Sequence, residues 1–521
     1  MGRLSVYKKQ NLRKRGKEMK NFKRLLCLSL CALMLLSVLV ACNQDNTDST
    51  DSESESNEVT DVVETTDTEK VYETDENGYV MDDLPDTTYN GEKVRVLGWK
   101  GSERYTLPED SGGGNVQLYS KIYFNKLSVE ARLDIQLDVT YIAATGNDPG
   151  AVVRNAFVTE VKSGAGDYDL IQTYSLYPAV LAQQGLLVNI NNLKYPNLEM
   201  PWWPDAISEW EQYDGLYFVA NNSSALAIRS MFVMFSYTEM IVGSGLKDPV
   251  ELVLEGKWTV EKMMEYAKNF HGDAIAKPGE VYGFVVDDHS RTDALYYGAG
   301  FHQTLNNDKG VAEMTWNDAS YRTRVIDYLD PLITFFKLEE VEIADNTASL
   351  MYNKKTALML ASMGNVDGLT DNSYAPIPIP KIDEEGEYCT MQNNGYDMWC
   401  IPKTTDNAEL SGVVLEAIAS SEYRNVAPFY YDTVLKDRYS QDANGVKVFE
   451  ILRDAVVYDF GRLCQFTMTN PIEYIWRRNF VTGKVKDPKN ILENQWATYG
   501  GATQNELMEL LADFRNNNRA Q

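Results

Sequence analysis

Three groups of side chains could do chemistry. Trp99, Gln172, Thr173, Tyr174 and Tyr177 mix flat apolar rings with amide and hydroxyl groups. Asn221, Asn222 and Ser223 form a second polar run, and Asn394 and Tyr396 a third. Aromatic planes stack on the C–H faces of a sugar, while amides and hydroxyls hydrogen-bond its rim. Such a mixture holds a polar solute and breaks no bond. A lone thiol, Cys42, follows the small residues that end an apolar run, Leu25 to Val40, itself preceded by Lys20, Lys23 and Arg24. A charged start, a short apolar middle and a small-residue cleavage site are the grammar of a secretory signal. The run of about 16 residues is shorter than the roughly 20 that span a bilayer. Met19, just ahead of this signal, reads as a more usual start than Met1.

The chemistry that would make this chain an enzyme is thinly represented. There is no HExxH, GxSxG, Walker or GxGxxG pattern, and the histidines, His271, His289 and His302, are scattered. Carboxylates abound, but at a net charge of −27 nearly all belong to a solvated surface. The ten basic residues and one glutamate of residues 1–41 leave the remainder at −36. That balance excludes nucleic acid as a partner. Neither a metal nor another cofactor is expected. Beyond the signal and Cys42 the cysteines are Cys389, Cys400 and Cys464. Buried free thiols are favoured over a Cys389–Cys400 bridge.

These residues need elements to hold them. Asn43 to about Asn90 is poor in aromatics and dense in acids, Ser and Thr, as in Asp51-Ser52-Glu53-Ser54-Glu55-Ser56. It cannot bury enough apolar surface to order itself and reads as an extended tether. Strand Lys93–Trp99, helix Gln117–Arg132, strand Asp134–Thr140, helix Val152–Lys162, strand Tyr168–Ile171 and helix Ala179–Gln184 follow. This alternation is that of a doubly wound parallel sheet, whose ligands sit at the carboxyl ends of the strands. Trp99 lies just past the first strand and Gln172, Thr173 and Tyr174 just past the third. Thr259 is placed to cap a helix bearing Val260, Met263, Met264 and Ala267 on one face. Strands are expected at Val281–Val286 and Thr356–Ala361, an edge or connector at Ala375–Pro380, and mostly helix over the last 120 residues. Trp202-Trp203, between Pro201 and Pro204, is either a rim platform or the anchor of a long loop. The length requires two lobes or domains.

The order of segments resembles the extracellular solute-binding proteins of the maltose-binding kind, substrate receptors of ABC importers. The likeness rests on Asp134–Thr140, Ser163–Ile171, Gln184–Ile190, Tyr213–Val219, Phe235–Thr238 with Gly243–Leu246, Trp258–Glu261, Tyr282–Phe284 and Lys354–Met359, all in the family's order. Leu39-Val40-Ala41-Cys42 resembles the bacterial lipobox. The resemblance implies an α/β, two-lobe periplasmic-binding-protein-like (Venus-flytrap) fold with hinge crossovers near Asn221, Gly364 and Asn394. It implies a lipoprotein signal peptide at 1–41 and an acylated Cys42 heading a disordered acidic tether, 42–90. The N-lobe would be 91–221 with 364–393, and the C-lobe 222–363 with 394–521. The expected ligand contacts are Trp99, Gln172, Thr173, Tyr174, Tyr177, Asn221, Asn222, Ser223, Asn394 and Tyr396. The implied function is a monomeric, non-enzymatic receptor anchored by lipid at the extracytoplasmic face of the cell membrane. Its partners are ABC permease subunits and a small solute, most simply a mono- or oligosaccharide. The alternatives are a surface lipoprotein that acts on glycans as an enzyme, and a sensory solute-binding protein.

Overall fold

The computed structural model describes residues 72–520, apart from 113–116, 143–148, 272–279, 288–289, 345–346, 370, 433–442, 470–471 and 473–487. The signal segment, Cys42 and the tether up to residue 71 lie outside the described residues, as does His289. In chain order the strands are β1 (Glu92–Trp99), β2 (Ile135–Ile142), β3 (Leu170–Tyr174), β4 (Val219–Ala220), β5 (Phe232–Ser236), β6 (Tyr282–Val286), β7 (Thr304–Asn306), β8 (Ala312–Met314), β9 (Val341–Ile343), β10 (Thr356–Ser362), β11 (Ala375–Ile377) and β12 (Asp397–Cys400).

Two five-stranded sheets carry the architecture. The first has the order β2-β1-β3-β12-β4 and the second β11-β5-β10-β6-β9; β7 and β8 pair as a hairpin. β1 runs parallel to β2 from Glu92 opposite Ile135 to Trp99 opposite Ile142, and parallel to β3 through Val96 opposite Leu170. The apolar run that predicts β1 ends buried on both faces of the sheet: Val94, Val96 and Leu97 are all but inaccessible. The helix Gln117–Leu133 turns Leu118, Ile122, Val129 and Leu133 inward at helical spacing. Thr259 caps the helix Val260–Ala267, its side chain accepting from the Lys262 amide. Gly283 of β6 is required by that packing, since a Cβ there would meet the Ala267 carbonyl oxygen at 1.9 Å.

Several expectations need correction. Ala375–Ile377, assigned to the N-lobe, pairs antiparallel with β5 in the second sheet. Asp397–Cys400, assigned to the C-lobe, lies in the first sheet, antiparallel to both β3 and β4. The chain recrosses between them, and the buried strand Asp397–Cys400 fills the slot that β3 and β4 leave open. Residues 72–90 are not free tether. Asp82 accepts from both Arg132 terminal nitrogens, at 2.8 and 2.5 Å, and from Ser420 at 2.5 Å. Burial alone would raise the pKa of Asp82, but Arg132, Ser420 and Arg424 hold it below the ordinary value. Trp202 and Trp203 are buried, and Trp203 Nε1 donates to Glu416 at 3.1 Å, which fastens their loop to the helix Ala408–Phe429. Cys389, Cys400 and Cys464 are free thiols, the last two buried. No helix among the described residues is long and apolar enough to cross a membrane.

Candidate functional site

The carboxyl edge of the first sheet carries a run of aromatic rings. Trp99 ends β1, and Tyr174 ends β3. Their centroids are 6.3 Å apart, nearly perpendicular. Tyr174 lies 5.7 Å from Tyr177, and Tyr177 lies 5.4 Å from Phe466, which comes from the C-terminal part of the chain. Gly101, at φ 120°, lets the chain turn under the Trp99 ring; a Cβ there would approach the ring to 3.0 Å. Trp99 Nε1 is buried and finds no acceptor among the described residues. Trp99 and Tyr174 are half-buried and Phe466 is 37% exposed, while Tyr177 is fully buried between Tyr174 and Phe466 and is not itself open to a solute. The arc can therefore offer ring faces to a solute.

The polar candidates divide by burial. Gln172 and Thr173 lie within β3, not past its end, because β12 extends the ladder: Trp399 faces Gln172 and Met398 faces Thr173. Both are buried. The Gln172 amide accepts from Ser102 Oγ at 2.9 Å and donates to Asp397 Oδ1 at 2.9 Å, to which Thr106 also donates at 3.1 Å. Burial pushes the Asp397 carboxyl up to about 6, against these hydrogen bonds.

Asn221 and Ser223 are buried at the first crossing, where the Asn221 side chain donates to Glu422 and accepts from the Ser223 amide at 2.8 Å. Asn222 is half-buried and accepts from the Tyr458 hydroxyl. At the third crossing Asn394 is buried. Its side-chain oxygen accepts from Arg462 Nε at 3.1 Å and Nη2 at 2.8 Å, and its carbonyl accepts from the Ser175 amide at 3.1 Å. Tyr396 is buried with its ring edge-on to Tyr458 at 5.8 Å. The structure thus brings Trp99, Tyr174 and Tyr177 into one arc. Gln172, Asn221 and Asn394 become nodes of buried networks at the crossings.

Sequence reading missed the partners in those networks. Arg462 donates to Asp293 at 3.0 Å with both side chains buried. Arg229 donates to Asp367 and lies 4.2 Å over the Tyr105 ring, which joins the loop after β1 to elements of the second sheet. No local pattern announces these pairs, which span from 138 to 169 residues. A separate cavity of about 930 Å³ is lined by Trp203, Asn222, Ser223, Tyr423, Phe449, Arg453 and Tyr458, among others; none of Trp99, Tyr174, Tyr177 or Phe466 borders it. The ring arc is the better candidate despite that volume, because it stands at strand carboxyl ends, where open α/β sheets hold ligands. Among the described residues no group of three His, Cys, Asp or Glu is placed to hold a metal.

Two sheets joined by repeated crossings, with a ring-lined edge beside them, define a two-lobe solute-binding fold. The chain matches the family model of the bacterial extracellular solute-binding protein over residues 130–425, more than half its length, and it belongs to that family. Its structure is similar to that of the galacto-N-biose-/lacto-N-biose I-binding protein of the ABC transporter from Bifidobacterium longum, solved with lacto-N-biose. The identity is 12%, the match covers 82% of this chain and 98% of that one, and the TM-score is 0.51. It is also similar to the extracellular solute-binding protein from Staphylococcus aureus solved with maltose, at 11% identity, 82% and 98% coverage and a TM-score of 0.50. At these identities the likeness is one of fold. A search of the curated proteins finds no match.

Proposed function

We propose that this protein is the lipid-anchored receptor of an ABC importer and takes a carbohydrate between its lobes. The observation that carries the reading is the arc Trp99–Tyr174–Tyr177–Phe466 at the carboxyl edge of the first sheet. Rings of this kind offer stacking area, and the half-buried Asn393 beside the third crossing offers hydrogen bonds to hydroxyls. Solved proteins of similar fold hold lacto-N-biose and maltose, which supports the same class of ligand here. The solute contacts Trp99 and Tyr174 directly, and the buried Tyr177 packs behind Tyr174 and Phe466. Gln172, Thr173, Asn221, Ser223, Asn394 and Tyr396 set the crossings that let the lobes close. Ligand stabilises the closed form by touching both lobes, and the closed form docks on the permease. Cys42 supplies the anchor, and residues 43–71 the span between membrane and body.

A thermal-shift screen with mono- and oligosaccharides tests the reading. A bound sugar raises Tm by mass action. The Trp99→Ala variant should lose that rise while keeping its ligand-free Tm. If no sugar moves the transition, the carbohydrate reading falls.

A further inference from the structure

The arginines around the crossings differ in what neutralises them. Arg229 donates to Asp367, Arg291 to Asp287, and Arg462 to Asp293 and Asn394. Arg154 has no carboxylate within ion-pair distance among the described residues, although the whole chain carries −27. It is half-buried, and its guanidinium sits 5.0 Å from the centroid of the Tyr177 ring, the third ring of the arc. Arg154 lies in the second turn of the helix Pro149–Ser163, which has no acidic residue in its first turn. That helix follows β2, so its positive end stands at the same sheet edge as the arc.

Two independent features therefore place positive potential on one aromatic ledge. A half-desolvated guanidinium gains most from an anion that it can meet with two parallel hydrogen bonds.

We propose that the solute is an acidic carbohydrate, held with a sugar ring against Tyr174 and Phe466, the accessible rings that flank the buried Tyr177, and its carboxylate on the Arg154 guanidinium. This rests on the carbohydrate reading above and narrows it to sugars of the uronate type. Arg154 touches the ligand in this scheme, and its contribution is largest where the sugar is charged.

Isothermal titration of the exported chain with disaccharides of galacturonate, glucuronate and mannuronate, each beside its neutral counterpart, tests the assignment. At least one uronate should bind about tenfold more tightly than its neutral twin, a gap that narrows in high salt. Arg154→Gln should cut uronate affinity about tenfold and neutral affinity far less, with Arg154→Lys between them. The ligand-free Tm of both variants reports that the fold is kept. If the neutral sugars bind as tightly as the uronates, or if Arg154→Gln weakens both alike, the acidic ligand is overturned while the carbohydrate reading stands. If neither set binds, both fall.

Discussion

Two buried polar hubs stand at the crossings, and each is neutralised in a different way. At one, Asp293 and Arg462 meet at 3.0 Å with side chains 1% and 7% exposed, and Asn394 takes further guanidinium donors. At the other, Asp397 and Glu422 are buried among Gln172, Thr106 and Asn221, with no cation in contact among the described residues. Burial drives the Glu422 carboxyl well above the ordinary range, and the nearby Asp397 raises it further. A buried carboxylate keeps its charge when a guanidinium faces it; without one it takes up a proton instead. The first hub is therefore a rigid charge pair, and the second is tuned by pH.

The largest effect expected from this contrast comes from breaking the pair. Arg462→Met takes the guanidinium away from the buried Asp293 side chain, and should cost about 3–5 kcal/mol in urea unfolding. A loss under about 1 kcal/mol would show that water reaches Asp293 and would erase the distinction between the hubs.

Next comes the pH limb of the second hub. The folded-state pKa of Asp397, about 6, lies above its ordinary value of 3.8. The folded state then binds more protons than the unfolded chain. The stability this contributes is complete below pH 4 and is lost as pH rises through 6, on the order of 3 kcal/mol over the window. Asp397→Asn should flatten that limb of a stability–pH curve; a limb of unchanged depth in the variant would assign it elsewhere.

A smaller change separates the amides. Asn394→Ala removes acceptor contacts from a charged group and should cost about 1.5–3 kcal/mol. The Tyr458→Phe exchange, which takes one neutral donor from Asn222, should cost about 1 kcal/mol. Equal costs in paired melts would mean that charge adds nothing at these nodes.

The strands of the first sheet were legible because β1, β2 and β3 alternate with helices along a continuous stretch of chain. The cap at Thr259 and the glycine of β6 were likewise local. The arc was legible in part: Trp99, Tyr174 and Tyr177 stand at or just past the ends of β1 and β3, which the alternation of strands and helices locates. Phe466 was not, since it arrives from nearly 300 residues further on. The short strand Asp397–Cys400 escaped notice because four residues give too little periodicity, and its place between β3 and β4 is set by tertiary packing. The same long-range geometry turned Gln172, Asn221 and Asn394 from presumed contact residues into internal ones. The docking of residues 72–90 hid in an acidic composition; Asp82 finds its counter-charges on Arg132 and Arg424, far away in sequence.

The position of β12 has a further consequence for how the molecule is made. The first sheet opens at residue 92, yet the strand between β3 and β4 is not synthesised until residue 400. A nascent chain that has delivered β1 to β4 still exposes two unsatisfied ladders. It must wait for some 180 more residues before that gap can close. Because the missing strand comes so late, the first sheet stays open until most of the length has been made.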